Sequence, residues 1–374
     1  MIQFTSTNSR ERTVMHVVSS GAVYGAERVI VELSLGQIEL GWKPFIFALE
    51  SRGTPSLAEY AASRGISVLT GAIGQRLLAQ RAALRRSVEA RGVDVVHTHG
   101  YKGDLLVATL RLPDAVRMVS TCHGWITTSR KLALYEWADK RALRRFDRVA
   151  TASAAMRDAL ILSGVRCERV TLVENGVDVA LPPSHAASRL RAELSIAEEQ
   201  RIVVVVSRLD RGKGVADVVN AIGRLVAAGH DVVLAVAGDG EERERLAALA
   251  ALLGAGDRVR LLGYRSDVGE LLAASDVFVT ASYGEGLPMT VLEAMAIGVP
   301  IIATRVGEIP NVLGEGQFGL LLAPGDVDGL TAAIERVLTD PTVSRVASDA
   351  RRHYAAHYSR AAMLKRYQHL YEAA

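Results

Sequence analysis

Cysteine is almost missing from this chain: only Cys122 and Cys167 occur, far apart and outside any Cys-x-x-Cys spacing. That argues against a disulfide framework or a zinc knuckle and fits a reducing cytosol. No uninterrupted apolar run approaches the ~20 residues that a bilayer-spanning helix needs. The polar stretch from Met1 to Arg12 has no apolar signal-peptide core. The expectation is a cytoplasmic protein, soluble or resting on the inner face of a membrane without crossing it. Aromatic residues are only 5% of the chain and no nucleic-acid reader motif is visible, so nucleic acid is not the expected partner. The glycines that follow the first strand, Gly21 and Gly25, lack the Gly-x-Gly-x-x-Gly spacing, which disfavours an NAD dehydrogenase.

What is present suits a globular protein of two domains. The chain has 374 residues, 49% of them apolar, with charged residues interspersed. Net charge is +3 but unevenly spread: residues 1–180 hold 24 Lys/Arg against 17 Asp/Glu, and residues 181–374 hold 20 against 24. A basic half beside an acidic half points to an anionic partner for the first domain, either a membrane surface or a phosphorylated substrate. Arg81, Arg85, Arg86, Lys140, Arg141, Arg144 and Arg145 cluster in that half. Singly each reads as a solvated helix face; together they fit docking on anionic lipid.

Short β-branched runs alternate with longer helical stretches, the pattern of parallel sheets with crossover helices. Strands are expected at Val14–Ser19, Phe45–Leu49, Ile66–Leu69, Val93–Thr98, Arg117–Thr121, Arg148–Ala152 and Val170–Val173. After the proline-interrupted linker Leu181–His185 the pattern restarts, with strands at Ile202–Val206, Val232–Ala237, Val259–Leu262, Val277–Thr280, Pro300–Ala303 and Gly319–Leu322. The fold class is therefore α/β, with two Rossmann-like doubly wound domains, residues 1–181 and 186–357, and a terminal helix at 358–374.

Three loops carry chemistry. The segment Ser282-Tyr283-Gly284-Glu285-Gly286-Leu287-Pro288-Met289-Thr290 follows a strand and opens a helix. With Pro288 at the first helical position, the amides of Met289, Thr290 and Val291 form an anion site suited to a diphosphate. Glu285 in the loop and Glu293 on the helix are placed to accept hydrogen bonds from hydroxyls; alone, they read as well as one acidic loop residue and one solvent-facing glutamate. Ser207-Arg208-Leu209-Asp210-Arg211-Gly212-Lys213-Gly214 follows the second domain's first strand, at the sheet edge where α/β proteins bind ligands. Its Arg208 and Lys213 are two cations fit to neutralise a departing diphosphate. In the first domain, Ser19 to Arg28 follows the first strand, and Gly25 at its turn allows close backbone approach to a ligand.

Taken together these stretches resemble the retaining glycosyltransferases of the GT-B fold, group 1 or family 4. The resemblance spans nearly the whole chain. It includes Gly25-Ala26-Glu27-Arg28, His97-Thr98-His99-Gly100, Thr121-Cys122-His123-Gly124, Glu174-Asn175-Gly176, Ser207-Arg208-Leu209 with Lys213, Gly238-Asp239-Gly240, and Glu285 eight residues before Glu293.

The resemblance implies two domains facing across a cleft, with the terminal helix packing back on the first. It implies that Arg208 and Lys213 hold the donor diphosphate, that Glu285 meets the transferred sugar, and that Glu293 meets the ribose. Gly25 and the amides of Met289 and Thr290 would face phosphate, and His123 would lie beside the sugar. The first domain, with Tyr24 and His99, would take the acceptor. Pro288 stands where many members keep an amide, so the phosphate would lean on later amides. The implied reaction transfers a sugar with retention from a UDP- or GDP-sugar to an acceptor hydroxyl, in surface polysaccharide, lipopolysaccharide or glycolipid synthesis, with no cofactor and no metal. A UDP-sugar 2-epimerase of the same fold and a non-catalytic nucleotide-sugar binder are the alternatives.

His97 and His99 share a strand face and His123 ends a nearby strand, a set with zinc-ligand chemistry. Such residues more often line a polar pocket. Asp326-Val327-Asp328 resembles an Asp-x-Asp metal motif but sits at a helix start, where aspartate is a routine cap.

Overall fold

Valine-rich runs bounded by turn residues become fully buried strands, as expected of parallel sheets covered on both faces. The computed structural model describes residues 11–19, 25–49, 56–70, 76–125, 129–340 and 342–372. The chain divides into two compact units, Met1–Gly176 with His357–Ala374, and Val177–Ala356.

The first unit holds β1 (Thr13–Val18), β2 (Lys43–Ala48), β3 (Ser67–Leu69), β4 (Val95–His99), β5 (Arg117–Cys122), β6 (Arg148–Thr151) and β7 (Val170–Leu172). They form one parallel sheet in the order β3-β2-β1-β4-β5-β6-β7. The second unit holds β8 (Arg201–Val206), β9 (Val232–Ala237), β10 (Val259–Gly263), β11 (Val277–Thr280), β12 (Ile301–Thr304) and β13 (Leu320–Leu322). Their order is β10-β9-β8-β11-β12-β13, again all parallel. Both sheets run outward from their first strand, then jump back beside it. That is the doubly wound Rossmann order, expected from the alternating pattern.

One face of the first sheet packs Met15, Val17, Val96 and Val149 against Leu84, Leu106 and Phe146. In the second unit Val203, Val205, Leu234 and Val236 pack against Ile222 and Ile334. Helix Val215–Ala227 keeps its apolar stripe on that core, burying Val218, Val219, Ile222 and Leu225.

The domain boundary lies earlier than the proline-rich linker suggested. Gly176 closes against the terminal helix (Arg360–Glu372): its N–H meets Met363 Sδ at 3.2 Å, and a Cβ there would overlap the Ser359 carbonyl. Glu174 pairs with Arg366 at 2.7 Å. The Val177 carbonyl instead accepts from the Tyr354 hydroxyl of the second unit. The crossing therefore falls at Gly176/Val177, and His357 belongs with the first unit. The terminal helix packs on helix Gly25–Glu39, where Arg360 reaches Glu32 at 3.3 Å and Glu39 at 2.7 Å.

Both cysteines are free, Cys122 buried and Cys167 exposed. Asp326 caps helix Val327–Thr339 by accepting from the Gly329 N–H at 2.8 Å, as its position suggested. Among the described residues, no helix is long and apolar enough to cross a membrane.

Candidate functional site

Each sheet reverses its winding between two neighbouring strands, β1/β4 in the first unit and β8/β11 in the second. Ligands of open α/β sheets bind outside the strand ends at such a switch point. The chemistry-bearing loops of this chain lie at both.

In the second unit, the loop after β8 delivers Lys213 and the loop after β11 delivers Glu285. Lys213 Nζ lies 2.5 Å from Glu285 Oε1, and the Ser282 hydroxyl donates to the same oxygen at 2.8 Å. The two charged side chains are only 18% and 13% exposed. A largely desolvated ion pair contributes little net stability, so stability alone is a weak reason for it. The backbone braces this arrangement. The Tyr283 N–H donates to the Gly212 carbonyl at 2.8 Å, and the Tyr283 hydroxyl donates to Asp217 at 2.8 Å. Position 307 takes glycine on two counts: its φ is +54°, and a Cβ would run into the Glu285 and Gly286 carbonyls. Gly214, at φ +62°, is the same case, since a Cβ there would overlap the Ala281 carbonyl.

Helix Met289–Ile297 begins one residue later than expected. Pro288 is its N-cap, with extended φ −70° and ψ 124°. The Val291 amide is taken by the Pro288 carbonyl at 3.1 Å. This leaves Met289 and Thr290 as the open donors of the first turn among the described residues, two amides where three were expected. Glu293 is buried, 6% exposed, and does not face solvent. Arg208 is exposed and pairs with Asp210 at 3.2 Å.

In the first unit, Gly25 starts helix Gly25–Glu39, while Tyr24 lies outside the described residues. His99 and His123 meet at 3.3 Å, Nδ1 to Nε2. They belong to a larger polar system that the sequence reading missed. His99 Nε2 faces His16 Nδ1 at 3.0 Å, and His16 Nε2 faces the Gln37 amide at 2.9 Å. Gln37 contacts the Tyr371 hydroxyl at 3.3 Å, which contacts His97 Nδ1 at 2.8 Å. His97 Nε2 meets the Thr121 hydroxyl at 2.8 Å, and that hydroxyl meets Tyr367 at 2.8 Å. His16 pairs in register with His97 across β1 and β4, and Tyr367 and Tyr371 are one helical turn apart. Those two spacings are the signals that sequence could have offered.

Burial lowers the pKa of His16 and of His123 to about 4 and holds His97 and His99 well below the usual histidine range, neighbouring histidines adding to the effect for the last two. All four are neutral imidazoles at neutral pH. The ligand atoms that come together are those of His16, His97 and His99, within 4.8 Å of one another, and not the His97, His99 and His123 set considered above. Every ring nitrogen of these three is already in a hydrogen bond.

The opposite face of the same strands carries a buried acid pair. Asp104 accepts from Thr98 and from Ser120, the latter at 2.7 Å, and Asp139 accepts from the Trp125 indole at 2.8 Å. Burial raises the Asp104 carboxyl well above the ordinary range, with the Asp139 charge adding to it; burial raises Asp139 as well. One proton shared by the two carboxyls gives Asp139 Oδ1 the partner that it otherwise lacks among the described residues. Through Trp125 this pair tethers the segment that carries His123.

Two Rossmann-ordered parallel sheets with such loops at both switch points define a two-domain α/β protein of the GT-B class. Residues 187–360 match the glycosyl transferases group 1 family, and residues 23–181 match glycosyltransferase family 4. The chain belongs to the group 1 glycosyltransferases. It is 29% identical over 272 residues to the N-acetyl-alpha-D-glucosaminyl L-malate synthase of Bacillus anthracis, covering 72% of this chain and 71% of that protein. It is 33% identical over 273 residues to a glycogen synthase of Mycobacterium tuberculosis, covering 67% of this chain and 62% of that one. The solved structure of Anabaena HepE in complex with UDP shares the fold with a TM-score of 0.84 at 21% identity, covering 97% of this chain and all of that one.

Proposed function

We propose that this glycosyltransferase moves a sugar, with retention, from a UDP- or GDP-sugar to an acceptor hydroxyl, without a metal. The observation that carries this reading is the Lys213–Glu285 pair at the β8/β11 switch point, on the loop that leads to the open amides of Met289 and Thr290. Lys213, Arg208 and those amides are the cationic and dipolar groups that a departing diphosphate needs, so a metal has no task left there. Glu285 accepts from a hydroxyl of the transferred sugar, and Glu293 from the ribose. Gly25 brings main chain near the phosphate, and His123 lies beside the sugar. The acceptor belongs to the first unit, on the side of His99 and Tyr24.

In the reaction, the bond from the sugar's anomeric carbon to the phosphate oxygen breaks as the acceptor oxygen attacks from the same face. The acceptor proton passes to the leaving phosphate oxygen. Lys213 stabilises the charge that grows on the diphosphate, worth more in its half-buried place than in water. That HepE was crystallised with UDP and with UDP-glucose supports the choice of donor class.

We further propose that the first unit docks on anionic lipid, which suits the synthesis of surface polysaccharide or glycolipid. Helices Leu77–Arg91 and Arg130–Ala142 both pack on helix Tyr101–Ala108. They expose Leu77, Leu78, Leu134 and Trp137, with Arg141 stacked over the Trp137 ring at 4.4 Å. Apolar side chains set among arginines are the chemistry of an interfacial surface.

The test is thermal denaturation with UDP, GDP, ADP and NAD in turn, on the wild type and on Lys213→Ala. A ligand that binds only the native state raises its melting temperature. Stabilisation by one nucleoside diphosphate, lost in the variant, supports the donor site and identifies its base. Stabilisation by NAD alone, or by nothing, overturns the reading.

A further inference from the structure

The buried polar system of the first unit is an unbranched chain of eight groups, and its protons can be counted. From the Gln37 amide to Tyr367 there are four contacts: Gln37 to Tyr371, Tyr371 to His97, His97 to Thr121 and Thr121 to Tyr367. Three hydroxyls and one neutral imidazole bring four protons. If the amide oxygen faces Tyr371, the four protons fill the four contacts. If the amide nitrogen faces Tyr371 and the oxygen faces His16, five protons compete for four contacts. One hydroxyl proton is then left without an acceptor among the described residues, at positions no more than 3% exposed. Such an orphan pays the full desolvation penalty of a buried donor. A half-turn of the amide exchanges its oxygen and nitrogen without changing its shape.

The consequence travels to the other end. With its nitrogen toward His16, Gln37 donates to His16 Nε2, so His16 carries its proton on Nδ1 and donates to His99. His99 likewise donates from Nδ1 to His123 Nε2. His123 is the partly exposed end of the chain, and its remaining proton must sit on Nδ1. The opposite amide orientation reverses every link and puts all four protons on Nε2.

We infer that Gln37 and Tyr371 are positioning residues that hold His16, His97, His99 and His123 in the Nδ1–H form, so that His123 presents a hydrogen-bond donor to its ligand. The ligand group that this recognises is an oxygen acceptor: a sugar hydroxyl, or a phosphate oxygen, which can only accept. The choice of ligand rests on the proposed sugar-nucleotide reading; the proton arrangement does not. The C-terminal helix thus shapes the site through its Tyr371 hydroxyl, with no contact to the ligand required.

The experiment reads the imidazole nitrogens of the ligand-free full chain by NMR after 15N-histidine labelling, at neutral pH. Wild type is expected to show four of its nine histidines in the Nδ1–H form. Tyr371→Phe removes one hydroxyl and unlinks Gln37 from His97. His123 is then expected to shift toward the Nε2–H form, while the signals of His230 in the second unit stay in place and report an intact fold. The Nε2–H form at His16, His97, His99 and His123 in the wild type, or a His123 unaffected by Tyr371→Phe, would overturn the inference. Because no nucleotide is present, a negative result here leaves the thermal-denaturation test of function untouched, and the reverse also holds.

Discussion

Lys213 and Glu285, 72 residues apart, meet at 2.5 Å where β8 and β11 lie side by side. The pairing ties the two loops with donor chemistry into one unit, so each partner holds the other in place. Removing either leaves a half-buried charge without its counterpart.

Lys213→Ala is expected to cut turnover by roughly 10²–10³-fold, the effect of deleting one preorganised charge-stabilising donor. Initial rates of sugar transfer measure it, with circular dichroism to confirm the fold. Unchanged turnover in a folded variant would remove Lys213 from the mechanism.

Gly307→Ala is expected to destabilise the second unit by about 2–5 kcal/mol, since it combines a left-handed backbone with a collision against the Glu285 and Gly286 carbonyls. Urea denaturation reads the loss. A loss near zero would mean that the Glu285 loop yields, and that its position is not fixed by this contact.

The first unit is expected to lose stability toward both pH extremes, for opposite reasons. His16 and His123 have folded pKa values of about 4, below the unfolded value near 6.5. The unfolded chain binds more protons in that window, so stability falls as pH drops from about 6.5 toward 4. Asp104 is raised above its unfolded value by burial and by Asp139, so the native state binds the extra proton and stability falls as pH rises toward its folded value. Asp104→Asn can donate to Asp139 while still accepting from Ser120, and should flatten only the high-pH side. Melting temperatures across pH 4 to 9 check this; an unchanged high-pH slope would dismiss the shared proton.

Leu78→Glu combined with Trp137→Ser is expected to weaken binding to anionic vesicles by about tenfold or more, because each removes one apolar side chain's burial in the interface. Sedimentation with anionic and neutral vesicles measures it. Equal, negligible binding of the wild type to both would end the membrane reading.

The central strands, such as β1, β4, β8, β9 and β11, were legible because each is a short run rich in β-branched residues and buried along nearly its whole length, a local property that needs no partner to be seen. Val232–Ala237 and Val277–Thr280 have the same ends in sequence and in structure. The helix at Met289 was legible too, but its first turn was not: whether Pro288 caps or begins the helix depends on one ψ angle. Arg208 and Lys213 are legible as two cations of one loop, but their ion-pair partners are not: Asp210 lies two residues from Arg208, whereas Glu285 reaches Lys213 from another loop.

By itself the sequence determined the two doubly wound sheets, the order of the loops and the residue types each loop offers, since periodicity and turn chemistry act over a few residues. Tertiary structure alone decided the crossing at Gly176, where only a missing Cβ lets the chain lie on the terminal helix. It also decided the joining of His97 to Tyr371, 274 residues away. Such contacts depend on strand register and helix docking, and buried polar groups must find partners wherever the fold brings them.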